Sequence, residues 1–124
     1  MIVRGKVQSG QKVGRTIGYP TINIPYDSEQ RGIFVGEVFY EGKLYKAAIH
    51  LGEKPTFDST VPVCEAFLLD FDETIDEGEE VEVKVKDKIR DIEKFENLED
   101  LKVRISQDVE FVQSWYNERR NNLI

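Results

Sequence analysis

Cysteine is nearly absent from this chain. Cys64 stands alone, so no internal disulfide can form, and the composition fits a reducing compartment, the cytoplasm. Long apolar runs are also missing: no stretch approaches the roughly 20 residues that cross a bilayer as a helix. The N-terminal MIVRGKVQSG lacks the apolar region of a signal peptide, and no membrane association is expected. Basic charge is in deficit, with 24 acids against 17 bases and a net charge of −7. That argues against general nucleic-acid binding, which needs a basic face. It leaves room for a small phosphorylated ligand, because oriented backbone amides and one metal ion can hold a triphosphate on an acidic protein. Internal repeats and composition breaks are absent too. Residues 1–124 therefore read as one domain, long enough to bury its own core and expected to be a monomer.

What is present is β-prone. Residues 2–8 look like a first strand. IFVGEVFY (33–40) and KLYKAAIHL (43–51) flank Glu41-Gly42 as the two arms of a hairpin. VCEAFLLDF (63–71) reads as a further strand, and VEVKVK (81–86) alternates apolar with charged residues like a half-buried one. The end differs. Asn97 is placed to cap a helix, and Leu98, Leu101, Ile105, Val109, Val112 and Trp115 or Tyr116 recur at spacings of three and four. That is one apolar stripe on a helix of about twenty residues. Five or six strands and one terminal helix suggest a small antiparallel barrel with the helix packed outside.

Between the first strand and the hairpin lies a long stretch rich in Gly, Pro, Ser, Asn and Asp, with GRTIGYPTINI (14–24) at its centre. In a compact domain such a patterned loop tends to be functional. The common phosphate-loop motifs fail. Gly10 and Gly14 have three intervening residues and are followed by Arg15, Gly5 and Gly10 are followed by Gln11, and no G-x-G-x-x-G occurs. The underlying physics remains available. Gly10, Gly14 and Gly18 allow close backbone approach to an anion, Arg15 could add a charge-assisted contact to phosphate, and Pro20 stiffens the exit. Thr21 and Asn23, two apart on an extended segment, point the same way and offer hard oxygen ligands suited to Mg²⁺ beside phosphates. The same residues also suit an ordinary turn.

The wider pattern separates these readings. G-K-V-x-x-G-x-x-x-G-R-x-x-G-Y-P-T-I-N, residues 5–23, resembles the signature of riboflavin kinases, whose core is usually G-[FYI]-P-T-A-N. Downstream, GIFVG (32–36), AAIHLGEKPTF (47–57), EAFLLDF (65–71), IRDIEKF (89–95) and LEDLKVRISQDVEFV are similar to further family segments, in order, over nearly the whole chain. The resemblance implies a mostly β fold, a six-stranded antiparallel Greek-key barrel with a C-terminal helix outside. It implies transfer of the γ-phosphate of ATP to riboflavin, giving FMN and ADP with Mg²⁺. Gly10, Gly14 and Gly18 match the nucleotide-loop glycines. Thr21 and Asn23 match the pair that holds metal and phosphate oxygens. Glu65 matches the catalytic glutamate that takes the proton of the ribityl 5′-hydroxyl. By strand parity Glu65 shares a face with Phe67 and Leu69, opposite Cys64, Ala66 and Leu68.

Arg90 matches an arginine near the flavin-side loop, or else makes an ion pair. Phe95 closes over the flavin or packs under the helix. His50, the only histidine, reads as structural in its apolar strand. Asp70, Asp72, Asp76 and Glu77 read as a solvated turn, lacking the glycine and terminal glutamate of a calcium loop. Trp115 and Tyr116 are expected to anchor the helix. Three positions depart from the family: Ile22 replaces the usual Ala and should point away from its neighbours, Phe67 replaces a His, and Glu77 stands where an aromatic commonly precedes Gly78. The last motivates an alternative, a flavin-binding or regulatory module on the same fold with little ATP affinity.

Overall fold

Six segments, most of them rich in β-branched or aromatic residues, form strands. In the computed structural model, residues 1–8, 18–53 and 61–122 are described, without the side chains of 121 and 122. The strands are β1 (Ile2–Lys6), β2 (Thr21–Pro25), β3 (Gly32–Tyr40), β4 (Lys43–Gly52), β5 (Val63–Leu68) and β6 (Glu80–Arg90). One helix, α1 (Leu98–Asn122), follows. The β3–β4 hairpin closes at the Tyr40–Lys43 pair. Glu41 and Gly42 both take left-handed φ, 48° and 79°, as a two-residue turn matching strand twist requires.

All pairings are antiparallel, and the strand order is β1-β6-β3-β4-β5-β2. β3, β4 and β5 form a meander and β6 returns beside β3, which is a Greek key. The outer strands then approach one another. The Gln8 amide donates to the Asn23 carbonyl at 2.8 Å, and a Cβ on Gly5 would lie 3.3 Å from Pro25. The result is a nearly closed barrel.

Parity sorts the side chains into two apolar layers. Ile24, Phe34, Ile49, Cys64, Ala66 and Leu68 fill the interior with their neighbours. Val35, Ala48, Phe67 and Leu69 face outward and are covered by Leu101, Ile105 and Val112 of α1. The helix begins where Asn97 accepts the Asp100 amide through Oδ1 at 2.9 Å, the expected cap. Its other end is tied down by aromatics. The Trp115 Nε1–H donates to Asp87 at 2.8 Å. The Tyr116 hydroxyl donates to Glu37 at 2.8 Å and lies 3.1 Å from the Gly36 carbonyl.

Several features differ from the sequence expectation, including the first strand, which ends at Lys6. β6 runs to Arg90 although Lys86, Asp87 and Lys88 interrupt its alternation, because register shifts against β3 place extra residues on β6 as bulges. β5 stops at Leu68, since the chain turns at Asp70, whose φ is 51°. Leu98, assigned to the buried stripe, is 43% exposed at the first turn of α1.

Candidate functional site

The outer face of the barrel carries an unusual row. Asn23 on β2 lies opposite Glu65 on β5, and Glu65 lies opposite His50 on β4. Directly opposite residues of an antiparallel ladder project to one face about 5 Å apart at Cβ. All three polar side chains are buried, with exposures of 6%, 4% and 2%. One step along, Thr21 is opposite Phe67, which is opposite Ala48. The row therefore adjoins the apolar layer beneath α1. Glu65 does share its face with Phe67 and Leu69, while Cys64, Ala66 and Leu68 point into the barrel. Ile22, 4% exposed, also points inward. Its extra bulk beyond alanine fills core and leaves Thr21 and Asn23 together on the other face.

Burying a polar atom without a partner is costly. The Asn23 Oδ1 is such an atom, with no hydrogen-bond donor among the described residues. An orphaned carboxamide oxygen two residues from the Thr21 hydroxyl is the donor chemistry of a hard divalent cation.

Gly18 opens the segment that leads into β2. Its φ is 96°, and a Cβ there would meet no atom of the described residues within 4 Å. The Pro20 carbonyl accepts the Leu68 amide at 2.9 Å, which fixes the entry to β2 against the end of β5. A cleft of about 360 Å³ lies between Gly18–Ile22 and Phe71–Ile75. On the other side of Gly18–Pro20 a wider cleft of about 700 Å³ reaches Val109 and Gln113 of α1. Gly10, Gly14 and Arg15 lie outside the described residues. Asp70, Asp72, Asp76 and Glu77 are all exposed, while Phe71 and Ile75 between them reach into the core.

Arg90 makes a two-pronged ion pair with Asp108 of α1, at 2.9 and 2.7 Å; Asp108 is buried and Arg90 largely so. Phe95 is half-buried against the apolar layer under the helix. Asp108 is the residue that sequence reasoning missed. The signal was present, since an acid stands between Ile105 and Val112 in the helix stripe, where only a partnered charge belongs. Cys64 is sealed in the core, and burial pushes its thiol up to about 12, so it is unreactive.

A family model described as Flavokinase: Riboflavin kinase matches residues 1–116. The chain belongs to the riboflavin kinase family. Among relatives of riboflavin kinases, the bifunctional riboflavin kinase/FMN adenylyltransferase of Haemophilus influenzae is 36% identical over 117 residues. The match takes in 91% of this chain and 38% of that protein. The chain thus spans well under half the length of such relatives. A riboflavin kinase from Trypanosoma brucei superposes with a TM-score of 0.61 at 26% identity, over 96% of this chain and 81% of that one. A Streptococcus pneumoniae structure described as a macrolide-efflux protein superposes with a TM-score of 0.78 at 35% identity, over 92% of this chain and 38% of that one. Among the described residues no helix is long and apolar enough to cross a membrane.

Proposed function

We propose that this chain transfers the γ-phosphate of ATP to the 5′-hydroxyl of riboflavin, giving FMN and ADP. The buried Asn23–Glu65 pair on the barrel's outer face carries this reading, because a buried carboxylate beside a bare carboxamide oxygen suits proton abstraction next to a bound phosphate. The 5′-oxygen attacks the γ-phosphorus, a new P–O bond forms, and the bond to the β–γ bridging oxygen breaks. The hydroxyl proton passes to Glu65 as the attack proceeds. Asn23 and Thr21 would hold Mg²⁺, which would neutralise charge on the phosphate oxygens. The open backbone at Gly18, with Gly10, Gly14, Arg15 and Pro20, serves the nucleotide. Phe95 supports the flavin side from beneath the helix. Arg90 acts there through the loop it braces with Asp108.

On this reading the chain works as a monomer on two small molecules, in a reducing cytoplasm and without a nucleic-acid partner. The adenylyltransferase activity named for longer relatives is no part of the proposal.

The test is FMN formation, resolved by chromatography, from purified protein with riboflavin, Mg²⁺ and each of the four nucleoside triphosphates. FMN with ATP is expected. No FMN with any donor would overturn the reading, and riboflavin binding without ATP binding in titration calorimetry would then favour a flavin-binding module.

A further inference from the structure

The Asn23–Glu65 row continues to a third buried polar side chain. His50 lies opposite Glu65 on the same outer face of β4 and β5 and is 2% exposed. Its ring is held from the far side: Nε2 lies 2.7 Å from the Glu53 carbonyl. A carbonyl only accepts, so Nε2 carries a proton; a carboxylate also only accepts, so the ring can hold Glu65 only with Nδ1 protonated as well, as the imidazolium. Glu53 is itself secured. Its carboxylate takes Arg31 at 3.3 and 3.4 Å, and Arg31 also donates to the Ser28 and Gln30 carbonyls. Arg31 and Ile92 pack over the intervening Gly52, where a Cβ would lie 2.7 Å from each. An imidazole anchored this firmly beside a carboxylate has one orientation to offer it.

We propose that His50 is a positioning residue for Glu65, its backbone-anchored ring holding the carboxylate where the substrate hydroxyl arrives. This rests on Glu65 being the base. A purely structural histidine in an apolar strand would be satisfied by its carbonyl bond and would gain nothing from sitting opposite the one buried acid of β5. Among the described residues, the charged groups nearest the ring are Glu65 across the ladder, Arg31 with Glu53 at the strand end, and the Arg90–Asp108 pair beyond Ile33, which is the ladder partner of both His50 and Arg90.

The chain has a single histidine, so nitrogen-resolved NMR of the imidazole reports His50 without assignment. Titrating the full chain and its Glu65→Gln variant is the first experiment. Contact with the carboxylate holds the imidazolium, so loss of that charge should lower the midpoint by about one pH unit. Equal midpoints and tautomers in the two proteins would overturn the coupling whether or not Glu65 is the base.

Kinetics is the second. His50→Leu should lower kcat by on the order of tenfold or more through misplacement of the base, with KM for riboflavin and ATP within about threefold. His50→Asn, which keeps a polar side chain of similar reach, should recover most of the loss. A His50→Leu protein that is folded by circular dichroism and keeps the parent kcat would overturn the proposal. So would a His50→Asn protein as slow as His50→Leu. If Glu65→Gln itself kept full turnover while the NMR midpoints differed, the base reading would fail and the contact would stand.

Discussion

Asn23 and Glu65 bring two costly groups together on neighbouring strands, and each makes a separate prediction. Glu65→Gln keeps the shape and removes the proposed base. It should depress kcat by about 10²–10⁴-fold while riboflavin affinity, read by flavin fluorescence, stays within a few-fold. Near-normal turnover would mean another group takes the proton. Asn23 tests the proposed metal side. Its Oδ1 is buried without a donor among the described residues, a burden of about 1–3 kcal/mol. Asn23→Leu, of similar size, should therefore leave the melting temperature equal or higher while abolishing Mg²⁺-dependent FMN formation. A residue that harms stability and serves activity is the mark of a site. A lowered melting temperature with retained activity would instead make Asn23 a structural residue. These residues were visible in the sequence through their strand parity and family match. Their burial was not, because it depends on β2, β5 and β4 lying side by side in an order the sequence does not display.

The helix is an element held at two places, and both can be titrated or cut. Near its middle, buried Asp108 meets a largely buried Arg90. Asp108→Ala alone should cost about 1–3 kcal/mol, because it leaves a largely buried guanidinium with only the Asp91 carbonyl and the Glu93 carboxylate as partners. Adding Arg90→Met should restore much of that loss, measured by urea unfolding as a double-mutant cycle. Toward its C-terminal end, Tyr116 and Lys86 both reach Glu37. Burial pushes the Glu37 carboxyl up, but Lys86 and Tyr116 more than offset it, so it sits below its ordinary 4.5. Burial, then the Glu37 carboxylate, push the Tyr116 hydroxyl well above 10.0. A lowered acid stabilises the fold above its unfolded pKa and loses that contribution as pH falls through the folded value. A raised phenol stabilises fully below its unfolded pKa and loses that contribution as pH climbs beyond it. The melting temperature should hold a plateau between these limits, with Glu37→Gln flattening the acid side and Tyr116→Phe the alkaline side. Unchanged slopes in both variants would show that the contact contributes nothing. The helix itself was legible from Asn97 and the stripe. Asp108 was not read as a partner, because the acid it interrupts the stripe with only makes sense once Arg90 is known to lie opposite.

At the scale of the whole molecule, a small barrel with an outer helix was readable from hairpin signals and one change of period. The strand order was not. Periodicity reports which face of a strand is apolar and says nothing of its neighbour, and the bulges on β6 hid its length behind Lys86–Lys88. That order has a consequence for how the chain comes to life. β1 and β2 are consecutive in sequence yet occupy the two ends of the sheet, and the Met1 carbonyl pairs with the amide of Val85, 84 residues away. During synthesis the β3–β4 hairpin can form early, but β1 has no ladder until β6 has left the ribosome. Distant pairing of this kind slows folding, since loop-closure entropy must be met before any contact rewards it. The Gln8–Asn23 seam closes after that, and with it the face that carries Thr21 and Asn23. Nucleotide affinity should therefore be among the last properties a nascent chain acquires.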